Sequence, residues 1–470
     1  MLFNPLQPEI VEKLKTIVGN AFVFTDDDTR RNYGHDETED LNFPPSVVVK
    51  PGTVEEVSEI LKLTNSELIP VTAIGGRTGL SGGALAVRGG IGLSMERFDK
   101  ILNIDEKNLQ VTTEPGVITQ VLREAVSERG LFYPPDPSSM GSCFIGGNIS
   151  ENAGGARAVK YGVTKDYVLN LEVVLPNGEI IWTGANTLKN ATGYNLTQLM
   201  VGSEGTLGII TKIVLKLLPL NRHNILMLVP FFDASQACKA VADIFRAGIV
   251  PSALEFMERD AIDWTLKYVN GISIHIKDNV KAHLLIEVDG NHPEVLFSEA
   301  EKITEVLENY NIDEILFADT EDQKNALWKM RRAVGEAVKS NSVYNEEDTV
   351  VPRYELPTLL EGIKSIGEKY GFKSVCYGHA GDGNLHVNIV KGDMTDEAWK
   401  TEIPKGITEI FELTVALGGT LSGEHGIGYV QKNYMPIAFN KMQLSLMKGI
   451  KELFDPNGIL NPGKIFPDGN

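Results

Sequence analysis

The chain has 470 residues, is 42% hydrophobic and carries 63 Asp and Glu against 44 Lys and Arg, a formal net charge of −19. That length is too great for one simple core, so two or more domains are expected; the acidity, with no basic run to offset it locally, argues against a nucleic acid partner. The longest apolar stretch, Ile225 to Phe232, falls far short of a membrane span, and the three cysteines, Cys143, Cys238 and Cys376, are odd in number and far apart, which argues against a disulfide framework and an iron–sulfur cluster.

In chain order, the first residues hold Glu9 and Glu12 without an apolar segment or an arginine-rich face, and the expectation is an unprocessed cytoplasmic chain. Ser46 to Lys50 reads as a strand, Pro51-Gly52 as a turn, and Thr53 with Glu56 as a capping box that opens a helix to about Asn65. A short strand, Ile69 to Ile74, leads into Gly75-Gly76-Arg77-Thr78-Gly79-Leu80-Ser81-Gly82-Gly83. Successive N–H groups with few side chains in the way form a concave anion site suited to a pyrophosphate. Segments of the same kind follow at Pro134 to Ser139, at Gly146-Gly147-Asn148 through Asn152-Ala153-Gly154-Gly155, and at Gly202 to Gly208. Together they predict an extended ligand threaded through loops. No G-x-G-x-x-G opens a strand-to-helix turn, which disfavours a Rossmann domain. Gly458 to Lys464 mimics the start of a P-loop, but Ile465 stands where a magnesium-binding hydroxyl belongs.

From about Asn221, Ile225 to Val229, Ala282 to Val288 and Ile315 to Ala318 read as strands between helical stretches, an α+β pattern of antiparallel sheet covered by helices. The helix holding Ala326 to Arg332 carries Arg331, whose guanidinium fork matches two carboxylate oxygens; a solvated helix-face charge is the plainer alternative. Ser374 to Tyr377 and Leu385 to Val390 then read as a hairpin around Ala380-Gly381-Asp382-Gly383-Asn384. The two-residue period puts Leu385, Val387 and Ile389 on one face and His386 and Asn388 on the other. His379 and His386 with Glu424 make two imidazoles and a carboxylate, ordinary ligands of a borderline divalent ion that keeps a position open for substrate; zinc is favoured, with manganese and ferrous iron open. His425 stands next to Glu424 between Gly423 and Gly426, with Gly428 beyond, and is the candidate proton acceptor.

These motifs give the chain a family resemblance. GGRTGLSGG at 75–83, PPDPSS at 134–139, GGNISENAGG at 146–155, GSEGTLGI at 202–209, EDTVVP at 347–352, GHAGDGNLHVN at 378–388, SGEHGIG at 422–428 and NPGK at 461–464 resemble, in order, the FAD-dependent D-2-hydroxyacid dehydrogenases of the vanillyl-alcohol oxidase (PCMH) type. Members include D-lactate dehydrogenases, the flavin subunit of glycolate oxidase and D-2-hydroxyglutarate dehydrogenases.

The resemblance implies a two-subdomain FAD-binding domain over residues 1–220, a ferredoxin-like substrate (cap) domain with the metal site over 221–425, and a C-terminal segment, 426–470, returning to the FAD domain. Within the cap it implies a helix from Ile407 to Leu417 ended by Gly418-Gly419. Gly75, Gly76, Arg77, Thr78, Gly79 and Leu80 would lie on the pyrophosphate. Pro135, Asp136, Gly141, Gly146, Asn148, Asn152 and Gly155 would line the adenine and flavin portions, with Gly205 and Ile209 along the dinucleotide and Asn461 returning towards it. No His occurs in or beside the loop at 75–83, so non-covalent FAD is expected. His379, His386 and Glu424 would hold the metal, Arg331 and Asn388 would meet the substrate, and His425 would take the hydroxyl proton as C2 passes hydride to the flavin N5. Lys165, Tyr194 and Asn195 are weaker candidates. In the D-2-hydroxyglutarate type a Thr and a Lys hold the distal carboxylate; here Gly335 and Glu346 stand in those places, which favours D-lactate or glycolate. The implied partners are a small 2-hydroxy acid and an external acceptor, a quinone, an electron-transferring flavoprotein or a cytochrome, reached peripherally at a membrane; a homodimer is compatible with all of this. The alternatives are a D-2-hydroxyglutarate dehydrogenase, or the flavin subunit of a larger glycolate-oxidising complex. A flavin-dependent transferase of the alkylglycerone-phosphate synthase kind fits the His379, His386 and Glu424 set less well.

Overall fold

Thr53 opens the helix Val54–Glu67 as expected, its hydroxyl accepting Glu56 N–H at 3.2 Å while the Glu56 carboxylate reaches back to Gly52 N–H at 2.6 Å. In the computed structural model, which describes residues 3–271 and 274–468, this helix belongs to a unit made of Met1–Gly154, Val163–Leu220 and Glu424–Asn470. Its buried Val57, Ile60 and Leu61 pack in one cluster with Val47, Val49, Val71, Ile91 and Leu93; each such side chain contributes about 1.5–3 kcal/mol of burial. The strands Val47–Val49, Ile91–Ser94 and Val71–Ile74 pair in parallel in that spatial order, and Val23–Phe24 adds an antiparallel edge. Parallel strands covered on both faces read as unbroken apolar runs, which explains Val47-Val48-Val49. A second, wholly antiparallel sheet of the same unit runs Ile101–Asp105, Gln110–Thr113, Ile209–Lys216, Val168–Val174, Ile180–Trp182. The C-terminal segment joins the first core: Ile459 and Leu460 are buried in it, and Val71 exchanges backbone hydrogen bonds of 2.8 Å with Ile459 and Asn461.

The other unit comprises Gly155–Gly162 and Asn221–Gly423. Its seven-stranded antiparallel sheet has the order Leu316–Phe317, His223–Phe231, Ala282–Gly290, Ala253–Glu258, Lys373–Gly378, Asn384–Val390, Tyr344–Val350. The helices Ala234–Arg246 and Asp396–Ala416 pack against Leu356–Tyr370. The short segment 155–162 is fastened by charge: Arg157 pairs with Glu287 at 2.9 Å, and Lys160 with Asp289 at 2.7 Å. One element differs from expectation. The helix foreseen from Ile407 starts at Asp396, capped by Thr395, and carries Pro404 inside it; a proline removes one backbone donor and ordinarily marks a boundary. Tyr344–Val350 is a strand although five of its seven residues in sequence are polar or charged, Asn345, Glu346, Glu347, Asp348 and Thr349. Among the described residues no helix is long and apolar enough to cross a membrane.

Candidate active site

In the hairpin, Gly383 takes φ +86°, and a Cβ there would lie 1.9 Å from the Val351 carbonyl oxygen, so the turn Ala380–Asp382 closes only with glycine after it. The flanking strands then place Tyr377 opposite His386, and His386 opposite Asp348 on Tyr344–Val350. The expected face pattern is present: Leu385, Val387 and Ile389 are fully buried in the core, while the His386 ring meets His379 edge-on at 5.4 Å and Tyr377 at 5.2 Å.

A carboxylate that no motif had marked organises this group. Glu255, with 0% exposure in the middle of Ala253–Glu258, holds Nδ1 of His379 at 2.8 and 2.9 Å and pairs with the Arg331 guanidinium at 2.7 Å. A histidine whose Nδ1 is taken by a carboxylate presents Nε2 as its ligating nitrogen, the usual support of a metal-binding imidazole. Arg331 is only 3% exposed, and its Nε is buried with no hydrogen-bond acceptor among the described residues. Burying a charged donor in that state is costly unless an anionic ligand completes it. The expected solvated alternative for Arg331 is therefore excluded by its burial.

Asp348, fully buried, is the second organising acid. Its carboxylate accepts hydrogen bonds from Asn384 Nδ2 at 2.7 Å and from Ser422 Oγ and Gly423 N–H at 2.8 Å each, and it lies 3.6 Å from Nδ1 of His386. Gly423 is thus pinned to the hairpin's neighbouring strand, and a Cβ on it would meet Asn384 Nδ2 at 2.6 Å. Glu424 and His425 are the next two residues in the chain and open the last segment of the first unit. Tyr377 donates its hydroxyl to Glu346 at 3.1 Å; burial, and then the Glu346 charge, hold that phenol well above its ordinary value, so it stays a neutral donor. Asn388, 0% exposed, sits opposite Glu346 in the ladder. A Cβ on Gly335 would stand 3.2 Å from the Tyr377 hydroxyl, so no larger side chain fits there without movement.

In the first unit the loop Gly75 to Leu80 leaves the strand Val71–Ile74 with Arg77 at φ +58°. None of its backbone N–H groups donates to a protein acceptor among the described residues. A run of unpaired, half-buried amides around a left-handed residue is the geometry of an anion-binding nest, and it fits a pyrophosphate. The Arg77 side chain itself turns aside to Asn32 and lies over the Tyr33 ring at 4.6 Å. Gly76 packs against Ser142 and Gly146 against Pro115, where a Cβ would come within 2.6 Å in each case. Pro135 and Asp136 are buried and Gly141 exposed; Thr78 and Leu80 are half-buried. Several expected cofactor residues spend their side chains on the protein: Asn148 on Thr119, Asn152 on Lys165 N–H, and Asn461 on the carbonyls of Gly83 and Glu204. Ile209 is 1% exposed at the start of Ile209–Lys216, and Gly205 has φ +66° in the turn before it. Gly155 falls in the segment that belongs to the other unit.

Comparison with known proteins agrees with the motifs. Residues 45–184 match the model "FAD binding domain", and residues 220–465 match "FAD linked oxidases, C-terminal domain". The chain is 39% identical over 98% of both chains to the D-lactate dehydrogenase of Anaerostipes hadrus, and 40% identical over 92% of both to the glycolate oxidase subunit GlcD of Bacillus subtilis. Among solved structures, p-cresol methylhydroxylase with substrate bound superposes with a TM-score of 0.79 at 18% identity, covering 98% of this chain and 97% of that one, which establishes a shared fold. The chain therefore belongs to the FAD-linked oxidases, an α+β flavoprotein of the vanillyl-alcohol oxidase type in the D-2-hydroxyacid dehydrogenase branch.

Proposed function

We propose that this protein oxidises a small D-2-hydroxy acid, D-lactate or glycolate, to the 2-oxo acid with non-covalent FAD, using a divalent cation held by His379, His386 and Glu424. The observation that carries the proposal is the buried Arg331, whose Nε has a donor to spare beside the Glu255-supported His379. Arg331 binds the substrate carboxylate in a planar, two-pronged fashion and fixes which face of C2 is presented. Asn388 orients the same end of the substrate. His425 accepts the hydroxyl proton as the C2–H bond breaks, since an imidazole titrates near the working pH. A cation bound at the two histidines and Glu424 supplies Lewis acidity that lowers the hydroxyl pKa. FAD supplies the two-electron acceptor, and the chain's contribution is alignment, worth several kcal/mol in such sites.

Substrate size follows from Glu346. It lies 3.8 Å from His386 and accepts from Tyr377, so a second substrate carboxylate placed there meets a like charge and a dicarboxylate such as D-2-hydroxyglutarate is disfavoured. Electrons taken up by bound FAD would leave to an external acceptor, a quinone, an electron-transferring flavoprotein or a cytochrome. The likeness to a glycolate oxidase subunit supports a second reading, in which the chain works only inside a complex. An anaerobic titration of purified protein with short 2-hydroxy acids of both hands tests the first: bleaching by D-lactate or glycolate alone is expected, and absence of bleaching by any of them removes the dehydrogenase assignment.

A further inference from the structure

We propose that Glu204 is a positioning residue for the proton acceptor, holding the turn that carries Glu424 and His425 through its backbone. This rests on the assignment of His425 as the base.

The turn has little stiffness of its own. Gly426 and Gly428 adopt φ +79° and +52°, a region that only glycine enters freely, so the chain beyond His425 has many accessible conformations to lose. One carboxylate restrains them directly: Glu204 accepts the N–H groups of Ile427 and Gly428 at 2.8 Å each. Hydrogen bonds to an ionised acceptor are about twice as strong as neutral ones, and two on adjacent amides fix the peptide plane between them. Weaker ties complete the frame, with the Ser81 carbonyl accepting Tyr429 N–H at 2.8 Å and the Gly428 carbonyl accepting Ile465 N–H at 2.9 Å.

Glu204 is an expensive residue to keep in this place. It is 6% exposed and its own backbone sits at φ +51°, left-handed for a side-chain-bearing residue. Such strain persists where surrounding contacts over-determine it and marks sites where geometry is functional. Here its N–H donates to the Ser150 carbonyl at 2.8 Å and its carbonyl accepts Asn461 Nδ2 at 2.8 Å, so both ends of the residue are clamped. Glu151 stands close by: a Cβ on Gly426 would lie 2.1 Å from Glu151 Oε2 and 3.1 Å from Glu204 Oε1. Burial, and then the Glu204 charge, push the Glu151 carboxyl well above the ordinary range. Burial raises Glu204 as well, and the two N–H groups of Ile427 and Gly428 oppose that rise.

The test compares holoenzyme variants E204Q, E204D, H425N and E204Q/H425N in anaerobic stopped-flow flavin reduction, with D-lactate or glycolate at saturation. The rate constant per flavin and the amplitude are read separately. A glutamine keeps the shape but turns an NH2 towards one of the two amides. The expectation is a rate constant about 10- to 100-fold lower in E204Q with full amplitude, the scale of a base misplaced by about an ångström. E204D, which keeps the charge, recovers part of that loss, and the double variant is no slower than H425N alone. A purely structural role lowers the amplitude and leaves the rate constant per flavin at the wild-type value; that result, or losses that multiply in the double variant, overturns the proposal. If H425N itself reduces at the wild-type rate, the base assignment fails first and takes the proposal with it; a slow H425N beside an unaffected E204Q overturns the positioning role alone.

Discussion

Replacing Glu255 with glutamine separates the structural from the functional weight of the buried acid that joins His379 to Arg331. The substitution keeps the volume and one acceptor oxygen but removes the charge. Arg331, 3% exposed, then carries an uncompensated guanidinium against a neutral amide. Removing one partner from a buried pair costs about 3–5 kcal/mol, and the retained amide oxygen places this change at about 3. Against a total domain stability of about 5–15 kcal/mol that is a large shift. His379 loses the acceptor that sets its tautomer, a loss that lowers metal affinity about 10- to 100-fold in comparable sites. Two assays read the two effects: urea denaturation at neutral pH for stability, and zinc competition against a chelator of known affinity for the metal. Visible flavin absorbance should stay at the wild-type level, because the loop Gly75 to Leu80 belongs to the other unit. Unchanged zinc affinity, with a denaturation midpoint also unmoved, would refute both the metal role of His379 and the energetic reading of the Glu255 pair.

Two further perturbations address pH and substrate. His283 is 1% exposed with Nδ1 buried, and burial, assisted by the Arg259 charge, lowers its folded value to about 4. The unfolded chain binds that proton near pH 6.5, so stability is intact above about 6.5 and is lost as pH falls towards 4, by about 3 kcal/mol in all. His283→Leu should abolish most of the difference between urea midpoints at pH 4.5 and 7.5; a variant as acid-sensitive as the wild type counts against the argument. Glu346→Lys puts a cation where Tyr377 now donates, and the ratio of kcat/KM for D-2-hydroxyglutarate over D-lactate should rise at least about tenfold, equivalent to about 1.4 kcal/mol. An unchanged ratio would place the size filter elsewhere.

What could be read from the chain was the part that local chemistry dictates. The Thr53 cap, the loop from Gly75 and the hairpin faces around His386 each carry their reason within a few residues and stand in the structure, although the expected capping box is incomplete, the Glu56 carboxylate accepting Gly52 N–H in place of Thr53 N–H. Illegible were features that depend on distant partners. The resemblance places 155–162 within the FAD-binding domain, yet the segment belongs to the second unit, where Arg157 and Lys160 pair with Glu287 and Asp289, more than a hundred residues further on. Tyr344–Val350 carries acids that suit a loop, yet it is a strand. Its period of two puts Glu346 and Asp348 on one face, opposite Asn388 and His386, where those acids face the polar side of the hairpin rather than water.

Glu255 shows how far such reasoning extends. In Ala253–Glu258 it stands between Leu254 and Phe256, both fully buried, in a strand too apolar to lie at the surface. A carboxylate in such a strand must find cationic or donor partners inside the protein, since an unpaired buried charge costs several kcal/mol. The sequence offers few groups that can serve from the polar side of the sheet. Two of them, His379 and Arg331, had been singled out for unrelated reasons, one as a ligand and the other as a carboxylate binder. That one acid satisfies both makes them a single construction: the charge that orients the imidazole is the charge that lets the guanidinium be buried. Loss of either partner therefore alters the other, and a double-mutant cycle between Glu255 and Arg331 should show non-additivity in metal affinity as well as in stability.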